Sequence, residues 1–396
     1  MAKSLFRLLP IFFFSLFVTS CSEDEVPQPE VSECAVLVYM AADNNLKNFV
    51  QDDYEEMKTG LAQLSNSSLR LFVYVDTGTS PRLVDLKYSN GKVIENVLKT
   101  YDVRNSVGVD ETKEVFNDVF SYHKADRYGL VYWSHGDGWS PYPVTQTRWI
   151  GQDVSSGDQR MNISLFCEVL DEAPHFDFIL MDACFSSSVE LIYELRDYTD
   201  YYIGSPTETP GPGAPYDKLV PMMAASTNAA QQMASAYFST YSANYNGGIG
   251  ISDNNWTGGV SICVVKTSAL TQLAAKTKQL WQSDERPATL RSQLFDYDKR
   301  GQKHVGYFDM LELAETLTTE ASFTEWKQAY DTAIAYWSTT PKNYSQYSGM
   351  FSMERANGLS HYVPTAAPAS TALDIAHCST TWYKDAGLSQ LGWVVE

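Results

Sequence analysis

Positive charge is scarce in this sequence: 29 Lys and Arg face 48 Asp and Glu, a formal net charge of −19 over 396 residues. Phosphate backbones and anionic lipid headgroups repel a chain this acidic, so nucleic acid is excluded as a partner and no charged membrane-binding face is expected. Disulfide frameworks and zinc sites are equally ill served, because the six cysteines include no Cys-x-x-Cys pair and keep no regular spacing. A Gly-x-Ser-x-Gly elbow is missing, which removes the signature of a serine hydrolase on an α/β fold. Internal repeats and low-complexity stretches are absent. The apolar run at residues 8–18 is too short to cross a bilayer comfortably. What remains is 44% apolar, 13% aromatic and only 19% charged, a composition that folds around a sizeable core.

The amino terminus reads as an export signal. Lys3 and Arg7 precede the short apolar run, and Thr19 and Ser20 are small residues at a cleavage position. Val18-Thr19-Ser20-Cys21 resembles a bacterial lipobox, which implies lipidation of Cys21 and anchoring by acyl chains. The competing reading is a secreted protein with an unmodified Cys21. Ser22-Glu23-Asp24-Glu25 resembles the export tag of some outer-membrane lipoproteins, so the expected location is the bacterial cell envelope, possible surface display included. Residues 1–20 are thus expected to be signal, 21–33 tether, 34–250 a first unit, and 251–396 a part that completes it and adds helices.

Continuous apolar runs at residues 34–40, 69–75, 128–133 and 176–181, with 201–204, predict buried parallel strands. Helical patterns at 46–64, 110–124, 163–171 and 229–245 fall between or after them, and Asn90-Gly91 predicts a hairpin within 80–101. Later segments predict a strand at 259–265, helices ending near Trp281 and spanning 306–318 and 323–337, and a short strand at 359–363. Strands alternating with helices mean an α/β fold, a three-layer α/β/α sandwich around a mostly parallel sheet, with a mainly helical C-terminal extension.

Three predicted strands end in chemically loaded loops, and in a parallel sheet those ends share one edge, where such folds bind ligands. One strand ends in Asp182-Ala183-Cys184, another in Ser134-His135-Gly136, and the third in Ser205-Pro206-Thr207-Glu208-Thr209-Pro210-Gly211-Pro212-Gly213. A thiol needs a base, and histidine is the side chain suited to that near neutral pH. A helical pattern opening at Phe185 predicts that a helix amino terminus lowers the thiol pKa. His135 precedes Cys184 by 49 residues, close to the caspase spacing, which also places Ala before Cys. The bland alternatives are a core thiol at Cys184, a helix cap at Asp182 and a solvated loop acid at Glu208. Cys34, Cys167 and Cys263 read as core residues, and His123, His175, His304, His361 and His377 as structural.

Beyond spacing, the residues resemble the clostripain family of cysteine peptidases, itself similar in fold to caspases and gingipains. The matching pieces are Tyr39-Met40-Ala41-Ala42-Asp43-Asn44, Trp133-Ser134-His135-Gly136, Gly151-Gln152-Asp153 with Ser156-Gly157-Asp158, Asp182-Ala183-Cys184, Gly306-Tyr307-Phe308-Asp309 and Gly358-Leu359-Ser360-His361-Tyr362-Val363-Pro364. The resemblance implies an endopeptidase cleaving after Arg or Lys, with Cys184 as nucleophile, His135 as base, and the Gly136 and Cys184 N–H groups as oxyanion donors. It implies Asp182 as the acid facing a basic P1 side chain, supported by Glu208. It further implies self-cleavage at a basic residue beyond the catalytic histidine, for which Arg148 stands 13 residues on. Expected partners are protein or peptide substrates with basic P1 residues, and the membrane through a lipid anchor only, with the chain a monomer. No cofactor is expected; calcium use occurs in the family, but no acidic loop here spells a calcium site. The rival function is a catalytically silent lipoprotein that binds basic peptides in the same cleft.

Overall fold

A computed structural model describes residues 30–64, 68–139, 149–281, 287–301, 304–365 and 371–393. The signal and most of the tether, Cys21 and Arg148 lie outside the described residues. Strand β1 (Glu30–Ala41) begins before residue 34, so the end of the expected tether already joins the sheet. A 3-10 turn at Asn45–Asn48 leads into helix α1 (Val50–Leu61), then β2 (Leu69–Asp76). The Asn90-Gly91 turn joins β3 (Arg82–Ser89) to β4 (Lys92–Thr100) as the sequence predicts, both turn residues having positive φ. Helix α2 (Val109–Phe120) returns the chain to β5 (His123–Trp133). A small hairpin, β6 (Ile150–Asp153) and β7 (Gln159–Met161), precedes α3 (Ile163–Leu170) and β8 (Phe176–Asp182).

Helix α4 (Val189–Glu194) and β9 (Thr199–Gly204) follow, then α5 (Tyr216–Met223) and α6 (Ala229–Asn244). The later part runs β10 (Ser261–Lys266), α7 (Leu270–Thr277), α8 (Pro287–Gln293), β11 (Tyr307–Asp309) and α9 (Met310–Thr316). It continues through α10 (Glu320–Ala333), β12 (Ile334–Thr339), β13 (Lys342–Ser345), β14 (Gly349–Ser352), β15 (Ser360–Tyr362), α11 (Ala372–Ser379) and α12 (Thr381–Asp385).

Nine strands form one sheet in the order β12-β10-β9-β8-β5-β1-β2-β3-β4. Its centre, β9 through β2, is parallel, and both margins are antiparallel. Side chains alternate along β1: Cys34, Val36, Val38 and Met40 pack with α1, α5 and α6, while Ala35, Leu37, Tyr39 and Ala41 pack with α2, α3 and α4 on the other face. This is the expected three-layer α/β/α sandwich.

Two local expectations fail for physical reasons, and one helix escapes the sequence pattern. Residues 323–337 do not form one helix: the β-branched and aromatic run from Ile334 pairs antiparallel with β10 and becomes the sheet edge. Residues 306–318 begin as strand β11, paired with β15, before turning helical at Met310. Helix α5 was hidden by Pro221, which cannot donate to the Asp217 carbonyl four residues back; Gln63 Nε2 donates to that carbonyl instead, at 2.8 Å.

Candidate active site

Strands β5 and β8 pair in parallel with Trp133 opposite Asp182. His135 and Cys184 each stand two residues beyond that last rung, so the register alone sets them side by side at the carboxyl edge. Gly136 presses against the Cys184 backbone: a Cβ there would lie 2.8 Å from Ala183 Cβ and 3.1 Å from the Cys184 carbonyl oxygen. Only glycine permits that approach. Bonds from Gly151 N to His135 O (2.9 Å) and from Asp137 N to Trp149 O (2.8 Å) tie the histidine loop to β6. These flanking bonds leave the Gly136 N–H directed away from β6.

His135 Nε2 is hydrogen-bonded to Asn45 Oδ1. With the amide oxygen toward the ring, Nε2 carries the proton and Nδ1 is the basic nitrogen. The Trp149 indole stands edge-on to the imidazole at 6.2 Å, and the Arg160 guanidinium covers that indole at 4.5 Å. Burial first, then the Arg160 charge, hold the imidazole pKa down at about 4. The Cys184 thiol faces Thr209, with Oγ1 at 3.5 Å and the backbone N–H donating to sulfur at 3.4 Å.

The expected lowering of the thiol pKa does not occur. Burial, followed by the Glu208 charge, pushes it up to about 11. The reason is geometric: α4 starts only at Val189, after N-cap Ser188, so no helix terminus reaches the sulfur. Instead Phe185 turns the chain sharply at φ 54°, held by its N–H to Thr207 O at 2.9 Å. Such a conformation in an aromatic residue is strained and aims the preceding side chain out of the strand line. The resting pair is therefore neutral thiol and neutral imidazole.

A cleft of about 1450 Å³ opens beside the pair, and His135, Gly136, Cys184, Asp182, Glu208 and Asp53 all line it. Asp182 does not cap α4. Its carboxylate accepts from Ala214 N (2.9 Å), Tyr216 Oη (3.1 Å) and Tyr237 Oη (3.4 Å), donors brought by α5 and α6. Burial raises its pKa to about 6 against those three bonds. No lysine or arginine pairs with it among the described residues. Glu208 reaches the same cleft from another side: its Oε1 accepts from Gln346 N at 3.3 Å, and it senses Arg300 and Asp298.

Arg300 ties the loop after His135 to the turn after Cys184. Its guanidinium lies 4.1 Å over the Phe185 ring, pairs with Asp137 at 2.5 Å, and bonds Asp298 at 2.8 Å. Arg300, Asn45, Thr209 and Asp53 are all functional neighbours that the sequence reading passed over. Asn45, in the Asp43-Asn44-Asn45 run ending β1, carried the one visible hint: a polar cluster at the loaded sheet edge. The other histidines lie outside the cleft: His175 pairs with Asp200 on the surface, His304 with Asp296, and His361 and His377 are buried around Glu190. Cys34, Cys167, Cys184, Cys263 and Cys378 form no disulfide with one another, and Cys34 and Cys263 are buried in the core.

A model of the clostripain family matches residues 38–389. The chain is 41% identical to a secreted C11 cysteine protease from Bacteroides thetaiotaomicron, solved with an irreversible peptide inhibitor; the match covers 90% of this chain and 99% of that one, with a TM-score of 0.84. An inactive zymogen C11 protease from Parabacteroides distasonis is 27% identical over 90% of this chain and 99% of its own, with a TM-score of 0.74. Clostripain of Hathewaya histolytica is 26% identical over 216 residues, 46% of this chain and 41% of that relative's length.

Proposed function

The chain belongs to the clostripain family of cysteine peptidases, and from that premise we propose that it is an endopeptidase cleaving after basic residues through Cys184 and His135. The carrying observation is the shared register: thiol and imidazole stand equally far past one rung, over a cleft holding a buried carboxylate with which no lysine or arginine pairs among the described residues. Cys184 Sγ attacks the scissile carbonyl while His135 takes the thiol proton. Because both groups rest neutral, this transfer accompanies the attack. The Gly136 and Cys184 N–H groups receive the oxyanion. The C–N bond breaks, His135 returns the proton to the leaving amine, and water hydrolyses the thioester. Asp182 receives the P1 cation, a contact strong because both charges leave water, and Glu208 supports it from the opposite wall.

An arginyl or lysyl acyloxymethyl ketone tests this. Inhibitor mass on Cys184, absent in the His135→Ala variant, is the expected result. An unlabelled Cys184 with retained peptide binding would instead mark a silent binding protein.

The same reading includes self-cleavage after Arg148 and a lipid anchor at Cys21 in the cell envelope. If the purified chain and its Cys184→Ala variant run as the same single band, self-cleavage is wrong. Failure of radiolabelled palmitate to enter the chain would remove the anchor.

A further inference from the structure

Asp53, on α1, is 2% exposed, and its Oδ2 has no hydrogen-bond partner among the described residues. It lines the cleft together with Asp182, Trp133 and Gly213. Gly213, at φ +74°, shows how closely these groups meet: a Cβ there would stand 3.2 Å from Asp182 Oδ2, 3.3 Å from Trp133 Nε1 and 3.7 Å from Asp53 Oδ2. Two carboxylate oxygens thus flank one point that the glycine leaves open. Tyr241 Oη donates to the Gly213 carbonyl and fixes the loop there.

A buried carboxylate oxygen without a partner costs stability, and folded chains keep one only where something else supplies the missing donor. We propose that Asp53 is the second acid of the S1 pit, and that it and Asp182 jointly receive the guanidinium of a P1 arginine. This rests on the basic-P1 reading above. A guanidinium presents five N–H donors along a planar edge and can serve two separate carboxylates at once. An ammonium concentrates three donors on one atom and suits one.

Among the described residues, the groups that act most on Asp53 include no cation. They are Asp182 at the end of β8, Glu56 and Asp52 on its own helix, Tyr216 on α5 and Tyr241 on α6. The Trp133 indole is the neutral donor beside it. Burial first, then Asp182 and Glu56, push the Asp53 pKa up to about 9. In the empty pit Asp53 therefore holds its proton at neutral pH, and an entering guanidinium displaces it.

Steady-state kinetics with paired peptide substrates carrying Arg, Lys or the neutral isostere citrulline at P1 tests the role. In Asp53→Asn, KM for the Arg substrate should rise at least tenfold, several times more than KM for the citrulline substrate, and the Arg-to-Lys preference should shrink. In the wild type, KM for Arg should keep falling as pH rises above neutrality, a slope that Asp53→Asn loses. Unchanged Arg kinetics in Asp53→Asn, or an equal loss on Arg and citrulline, overturns the role of Asp53. A wild type that does not prefer Arg over citrulline overturns the basic-P1 reading itself. Asp53→Ser, assayed alongside, gives the same discrimination should the amide fold poorly.

Discussion

Two groups of buried acids flank His135 and Cys184, and they differ in one respect. Asp137 and Asp298 close on Arg300, whose guanidinium supplies charge and donors to both. Asp182 and Asp53 find only neutral donors. In the first group the ionic partner is part of the chain, so the cluster holds loops in place: Arg300 links the loop after His135, through Asp137, to Phe185 directly after Cys184. In the second group neither acid pairs with a lysine or arginine among the described residues, although Asp137 and Arg300 line the same cleft. On the reading proposed above, buried carboxylates matched by the chain's own cation serve architecture, and the unmatched pair in the cleft serves a ligand.

That contrast can be broken most sharply at Arg300. Arg300→Met strands two buried carboxylates and should cost about 3–5 kcal/mol in urea unfolding. Adding Asp137→Asn and Asp298→Asn should recover most of it. A single variant as stable as wild type would erase the distinction between the two groups.

Asp182 should behave in the opposite way toward stability. Its folded pKa of about 6 lies above the ordinary 3.8. The folded state therefore holds the proton more tightly, and this group's contribution is best below pH 3.8 and declines as pH rises, levelling off above 6. The decline amounts to about 3 kcal/mol, and Asp182→Asn should remove it, seen as the difference between the two stability-versus-pH curves. Turnover of basic substrates should move inversely, rising as pH passes about 6 and Asp182 ionises.

At neutral pH, Asp182→Asn should lower kcat/KM for an Arg substrate by about 100-fold, within the range for truncating one partner of a desolvated ion pair. Its melting temperature should not fall. A parallel loss of activity and stability would make Asp182 architectural, like Asp137.

The smallest effect belongs to the imidazole's support. Asn45→Ala should reduce kcat by about tenfold, as expected for loosening a general base without removing it. KM should stay level, because Asn45 bonds His135 and not the pit. A change confined to KM would place Asn45 in substrate binding instead.

The central strands were readable because residues buried on both faces of a parallel sheet are continuously apolar, as in Val36 to Met40 and Ile179 to Met181. The meeting of His135 and Cys184 was readable because strand ends loaded with polar residues share an edge. Local pattern misled where neighbours decide the outcome. Ile334 to Thr339 became strand because β10 offered an open edge. The thiol pKa rose because Phe185 turns out of the strand and delays the helix to Val189. Asp53 looked like one more acid in the first turn of a surface helix, and Arg300 like one more exposed cation.

Chemical identity at the sheet edge, a sulfur, an imidazole and a carboxylate two residues before the sulfur, was written in the linear chain, because hydrophobic runs mark where strands stop. Which charges are satisfied was not. That depends on what packs against each acid, including a helix whose Asp53 lies 131 residues upstream of Cys184 and a loop whose Arg300 lies 116 residues downstream, and only packing decides that.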